Sequence, residues 1–186
     1  MSTELLAPAA ASQQLATLGK NNQGALAGGA TGALYLAFRL AAEVYAIDIL
    51  GIREIIEYGA PTSVPMMPPS VRGVINLRGA VVPVIDLAVR FGREATGVGK
   101  RTCIVIVEVM YAGAIHVLGL MVDGVNAVME ISADSIEEAP AFGTRVNTDF
   151  IAGMARVDGR FVIILDTARV LSIEEMAAVK AVASDG

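Results

Sequence analysis

GVINLRGAVVPVIDLAVRFG, residues 73–92, returns 80 positions later as GMARVDGRFVIILDTARVLS, residues 153–172. At that offset Gly73 meets Gly153, Gly79 meets Gly159, Val82 meets Val162, Asp86 meets Asp166 and Ala88 meets Ala168. Self-similarity of this kind bears on architecture, because each copy is a supersecondary unit that must bury its apolar face against a neighbour. A fainter match lies upstream at an offset of 73. There Tyr45, Ile47, Ile49, Ile52, Ile55 and Glu57 fall on Leu118, Leu120, Val122, Val125, Val128 and Glu130. The offsets differ by 7, the difference between the connections Glu57 to Gly73 (16 positions) and Glu130 to Gly153 (23 positions). The chain reads as one small β unit present twice, with a longer loop in the second copy.

Composition narrows the function classes. At 186 residues the chain holds one ordinary domain or two very small ones. It is 54% apolar, lacks Trp and is rich in Val, Ile, Ala and Gly, a mix suited to short strands buried on at least one face. A net charge of −5 without any basic cluster argues against nucleic acid as a partner. One cysteine, Cys103, excludes an internal disulfide and a Cys-based metal site, and one histidine, His116, excludes a His cluster. No metal or cofactor is expected. Met1 to Ala10 lacks the basic start and apolar core of a secretory signal, so a cytosolic protein is expected. The most membrane-like stretch, Ile104–Val122, contains Glu108 and His116, carries Gly113 and Gly119, and favours Val and Ile over Leu. It reads as two strands and a turn, and no direct membrane insertion is expected.

Residues 1–33 are rich in Ala, Gly, Gln, Asn and Ser with only Glu4 and Lys20 charged. Such a segment buries too little to offset its ordering entropy and reads as a flexible tail, with Leu5, Leu6, Leu15 and Leu18 allowing a transient helix. Order is expected from Leu34. Leu34, Leu36, Phe38 and Leu40 alternate with Tyr35, Ala37 and Arg39, the period of a half-buried strand. Strands Val44–Ile49 and Ile52–Tyr58 follow, then a proline-rich connection 59–70. Val74–Leu77 and Val81–Ile85 form a hairpin about Arg78–Gly79. Pro83 has no N–H to donate, which predicts an edge or a bulge there. Asp86 is placed to cap a turn over Leu87–Phe91 closed by Gly92. The order then repeats over 102–110, 114–122, 125–131, 152–157 and 161–165, with Asp166 capping a second turn. Ser172-Ile-Glu-Glu175 has capping-box spacing and predicts a helix from Ile173 to about Val182.

Two aspartates at equivalent places, Asp86 and Asp166, invite comparison with acid hydrolases whose paired carboxylates share a proton. The pattern departs from that chemistry at Ala88 and Ala168, where a tight Gly is needed, and at Leu87, where a hydroxyl is needed. Capping explains both copies. His116 falls near a hairpin turn, no G-x-S-x-G elbow occurs, and Gly28-Gly-Ala-Thr-Gly32 lacks the strand and helix of a phosphate loop. Cys103 alternates with Val105, Val107 and Val109 as a small core residue. What remains is Asn76-Leu77-Arg78-Gly79, whose second-copy counterpart is Arg156-Val157-Asp158-Gly159. An arginine on a Gly-terminated tip presents a planar fork to a partner's carboxylate or carbonyl.

Across residues 34–183 the sequence resembles the CheW family of chemotaxis coupling proteins. The resemblance is carried by Tyr45-Ala-Ile-Asp-Ile-Leu-Gly-Ile-Arg-Glu-Ile-Ile56, Gly73-Val-Ile-Asn-Leu-Arg-Gly79, Val82-Pro-Val-Ile-Asp-Leu87, Val122-Asp-Gly-Val125 and the Glu175-Met176 segment. It implies an all-β fold of two packed five-stranded β-barrels with short helical turns and a C-terminal helix. The matching division is a tail over 1–33, a domain over 34–172 and a helix with tail over 173–186. The two barrels would fall roughly at 34–92 and 102–172, with strand exchange between them left open. It implies a non-enzymatic adaptor joining the histidine kinase CheA to the cytoplasmic tips of methyl-accepting receptors, cytoplasmic and recruited to membrane receptor arrays. Receptor contacts would then be Ile52, Glu54, Arg78 and Val122, with Glu54 facing Arg78, and with Ile52 and Val122 lining a groove that accepts a helix. Val64, Pro65 and Ile75 are candidates for the kinase face, and Gly73, Asn76, Gly79 and Asp86 form the structural motif. A coupling protein of a non-flagellar pathway fits the same residues, and a monomer is expected in solution.

Overall fold

The alternation at Leu34–Leu40 becomes strand β1 (Gly32–Leu40), which turns at Ala41–Ala42 into β2 (Glu43–Asp48). The computed structural model describes residues 7–22, 32–138, 148–170 and 177. Asp48 accepts the N–H of Leu50 at 2.9 Å and so starts a 3-10 turn at Ile49–Gly51 that leads into β3 (Ile52–Glu57). The quoted hairpin is β4 (Val71–Leu77) with β5 (Ala80–Asp86), followed by a single helical turn, α2 (Leu87–Arg90). The second copy supplies β6 (Cys103–Tyr111), β7 (Ala114–Val122), β8 (Gly124–Ser132), the two-residue β9 (Ile136–Glu137), β10 (Ile151–Val157) and β11 (Arg160–Leu165). The membrane-like stretch is thus two strands and a turn, and no described helix is long and apolar enough to cross a membrane.

The strands form two sheets, ordered β8-β1-β2-β11-β10-β9 and β3-β6-β7-β5-β4. Exchanging each strand for its counterpart turns the first five positions of one order into the other. The bulges repeat as well. Arg53 in β3 and Asn126 in β8 are the unpaired residues 73 apart, and Arg72 in β4 and Ala152 in β10 are those 80 apart. The parallel junctions match likewise, Ala46 facing Ile164 and Gly119 facing Val84.

Each sheet mixes the copies, so the strand exchange left open for the barrels at roughly 34–92 and 102–172 is present. The β1–β2 hairpin sits between β8 and β11 of the other copy, while β6–β7 sits between β3 and β5. The contiguous stretch 52–122 therefore makes one sheet, inserted between the two pieces of the other. Reciprocal exchange is possible because the pieces that pair are equivalent in both copies, so either partner offers the same ladder and the same apolar face.

Burial shows how the sheets are used. On one face Ala46, Ile131, Ala155, Val162 and Ile164 form a cluster drawn from the first sheet alone. Val82, Val84, Ile104, Ile106 and Met121 do the same for the second. With their half-buried neighbours, each cluster includes side chains from every strand or strand end of its own sheet, as the interior of a small barrel does. The opposite faces share one larger core, in which Leu36, Phe38, Tyr45 and Ile47 join Val105, Val107, Leu118 and Leu120. At about 1.5–3 kcal/mol for each large apolar side chain removed from water, this joint core binds the two barrels into one unit.

Two further expectations change. Pro83 lies on an interior strand, because β5 sits between β7 and β4. Its partner Val74 spends both backbone groups on Thr62 (2.8 and 2.9 Å), so Val74–Pro83 is a non-hydrogen-bonded pair, and the missing N–H faces β7, whose parallel ladder with β5 begins only at Val84. The tail reading of residues 1–33 fails over helix α1 (Pro8–Asn22), which packs on β3 and β8. Low overall hydrophobicity hides the helix, since burial is needed on one face alone, which among the described side chains holds Pro8, Ala11, Ser12 and Leu15, at i, i+3, i+4 and i+7. The expected helix at Ile173–Val182 lies outside the described residues, apart from the helical Ala177.

Candidate functional site

At the β4–β5 tip both central residues have positive φ, 52° at Arg78 and 88° at Gly79, the backbone of a primed hairpin turn. Asn76 Oδ1 accepts the Gly79 N–H at 2.9 Å and holds that turn. Gly73 is required further down β4. Its φ is 145°, and a Cβ there would run into the Thr62 carbonyl of the segment that covers the β4 edge. Three of the four motif residues thus serve to shape and support a tip that carries Arg78.

The Arg78 fork meets Glu54 of β3 with both nitrogens, Nη1 at 2.8 Å from Oε1 and Nη2 at 2.9 Å from Oε2. The expected pair is therefore formed. Arg78 remains 77% exposed against 22% for Glu54. An exposed pair of this kind contributes about 0–1 kcal/mol to stability. Its effect is orientation, because bidentate contact fixes the guanidinium plane while other N–H groups of the fork remain for a partner. Beside it, the bulge residue Arg53 donates from Nε to Glu108 at 2.8 Å.

These groups edge a cleft of about 790 Å³ at the mouth of the second barrel, lined by Leu77, Val81, Val82, Ile115, His116 and Val117 among others. Val81 and Ile115 are exposed, Ile115 by 61%, and the His116 ring stands edge-on to Tyr111 at 6.2 Å. The arrangement offers an apolar patch framed by oriented cations, suited to recognising a protein surface. Sequence reading missed Val81 and Ile115. Each sits at the start of its strand on a parity whose later members, Ile85 and Met121, are fully buried, so periodicity carried no signal of their exposure.

The other candidates separate. Ile52 is half-buried against the joint core, two residues from Glu54. Val122 is fully buried, with no surface to offer a helix, which corrects its expected contact role. Pro65 is exposed and Val64 half-buried on the segment over the β4 edge, while half-buried Ile75 packs toward the barrel interior.

Asp86 does more than cap. It is fully buried and accepts from Ala88 N–H (3.0 Å), Thr96 N–H (2.9 Å) and Thr96 Oγ1 (2.7 Å), tying the loop after α2 to β5. Asp166 accepts from Ala168 N–H at 3.0 Å and pairs with Arg169 at 3.5 Å. Each carboxylate serves its own loop, so the shared-proton dyad is absent. Among the described residues no three His, Cys, Asp or Glu gather to hold a metal. Burial pushes the Cys103 thiol up to about 12, as an inert core thiol. Burial, then the hydrogen bond to Glu43, raises the Tyr45 phenol.

A family model for the CheW-like domain matches residues 34–175. The chemotaxis protein CheW of Klebsiella aerogenes is 37% identical over 169 residues, covering 91% of this chain and 96% of that protein. The chemotaxis protein CheW of Rhizobium meliloti is 32% identical over 143 residues, covering 77% and 90%. Among solved structures, the scaffolding protein TtCheW from Thermoanaerobacter tengcongensis superposes with a TM-score of 0.70 at 34% identity, over 80% of this chain and 94% of that one.

Proposed function

Because this chain belongs to the CheW-like family of chemotaxis scaffold proteins, which are not enzymes, we propose that it couples the histidine kinase CheA to methyl-accepting receptors. In this reading it works as a cytoplasmic monomer recruited to receptor arrays. The observation that carries the reading is the Arg78 tip, an arginine held bidentately by Glu54 at the rim of an exposed apolar cleft. Ile52, Glu54 and Arg78 serve the receptor's tip helix. Val64, Pro65 and Ile75 serve the kinase. A partner carboxylate or backbone carbonyl meets the outer N–H groups of Arg78, while apolar side chains cover Val81 and Ile115.

The test is reconstitution of receptor-bearing membranes with kinase, read as phosphate transfer from ATP. Activation is expected only when this protein is present, and Arg78→Ala is expected to weaken it. Equal activation with and without the protein overturns the reading.

A further inference from the structure

We infer that helix α1 is a built-in occupant of the seam between the two sheets, closing the face on which a partner helix docks and giving way when that helix arrives. The inference rests on the docking reading above and concerns its regulation.

The seam is defined by topology. Strand β3 is the outer strand of one sheet and β8 the outer strand of the other. Helix α1 lies against both, and against the 3-10 turn at Ile49–Gly51. An outer strand offers unpaired backbone groups to whatever approaches it. Here Ser12 takes them at one rung: its hydroxyl donates to the Ile55 carbonyl at 2.6 Å and accepts the Ile55 N–H at 3.1 Å. Ile55 lies on the same strand as Ile52 and Glu54, so α1 occupies the strand that carries two of the proposed receptor contacts.

The seat holds the helix loosely. Among the side chains described on α1, those turned to the seat are buried Pro8 and Ala11 and half-buried Ser12 and Leu15, with Leu15 the one large apolar side chain of the four. The Gln14 side-chain oxygen is buried without a hydrogen-bond partner, which weakens the contact. No acidic residue stands in the first turn to favour the helix dipole. At 15 residues, a helix of this length is marginal in water once unseated. Beside the seat, Leu50 stays 81% exposed and adds apolar surface that α1 leaves uncovered. An incoming helix that presents small residues and a hydroxyl to β3, and a larger apolar side chain to Leu50, outcompetes the resident one. Until then its apparent affinity is reduced by the fraction of molecules in which α1 is seated.

The experiment compares the full chain with its Ala11→Arg variant, which places a long cation at a buried position of the seat. The probe is a soluble fragment of a methyl-accepting receptor's cytoplasmic tip, and affinity is read by calorimetry. The variant is expected to bind about tenfold more tightly. In the unaltered chain, hydrogen exchange across Pro8–Asn22 is expected to accelerate when the fragment is added. Equal affinities, or α1 amides as protected in the complex as in the free protein, overturn the strap and leave the docking reading standing. Failure of both proteins to bind the fragment overturns the docking reading itself. Should Ala11→Arg lose its cooperative melt, the exchange measurement on the unaltered chain decides alone.

Discussion

At the β4–β5 tip, Asn76-Leu77-Arg78-Gly79 projects an arginine; at the β10–β11 tip, Arg156-Val157-Asp158-Gly159 projects an aspartate on nearly the same backbone. The first tip residue has φ 52° in both, and the following glycine has 88° in one and 78° in the other. Each tip overlooks a barrel mouth, of about 790 Å³ beside Arg78 and about 360 Å³ beside Asp158. Counterparts line the two: Leu77 and Val157, Val82 and Val162, Val117 and Val44, Arg53 and Asn126. What differs is the partner beneath the tip. Glu54 has Ala127 as its counterpart, so the second copy has no acid to hold a fork. Its Arg156 instead stacks on Phe161, 4.9 Å from the ring centroid. Duplication supplied one shape twice, and a few surface exchanges gave only one copy an oriented cation. Recognition resides in those exchanges and not in the scaffold.

The comparison breaks most violently at the glycines beneath the tips. Gly73→Ala places a methyl against the Thr62 backbone at φ 145° and is expected to cost about 3 kcal/mol or more. At Gly153→Ala the nearest atom is an Ile136 side-chain methyl, and about 1–2 kcal/mol is expected. Urea unfolding of both variants checks the order; equal losses would show that the two edges are covered alike.

Next come the aspartates. Asp86→Ala strands three buried donors and is expected to cost about 2–3 kcal/mol, whereas Asp166→Ala removes a partly exposed turn cap worth about 1 kcal/mol. Thermal melts distinguish them.

A smaller effect concerns alkali. Cys103 is raised from 9.0 to about 12, and Tyr45 is raised as well, while the counterpart of Tyr45 is Leu118, which has no proton to lose. The unfolded chain therefore releases these protons first. Stability is expected to be full below pH 9 and to fall as pH climbs from 9 toward 12. Cys103→Val should flatten that fall, and an unchanged slope would assign it to other groups.

The smallest stability effect is expected at the tips themselves. Arg78→Ala and Asp158→Ala should each shift the melting temperature by no more than about 3 °C. Kinase activation should drop in the first variant and persist in the second, as a coupled phosphate-transfer assay would register.

Much of this was legible beforehand, for reasons visible in particular residues. Period-2 alternation located β1 to within two residues, and the two apolar runs on either side of Arg78–Gly79 located the hairpin. The Glu54–Arg78 contact was accessible only through family resemblance, because a separation of 24 positions carries no local signal. Thr96 was invisible as a partner of Asp86, since a loop hydroxyl ten residues away obeys no periodicity. Val122 continues the apolar run of β7, and nothing in its identity separates a groove wall from a core wall.

The amino-acid order alone determined that a β unit occurs twice, where its strands and turns fall, and that no catalytic set accompanies them. These are local properties of spacing, turn backbone and residue chemistry. Only the tertiary structure decided which copy's strands share a sheet, that Pro83 sits inside one, and that Pro8–Asn22 lies across the seam. Equivalent strands have equivalent pairing edges, so their sequences cannot rank the alternatives; three-dimensional packing of the joint core does.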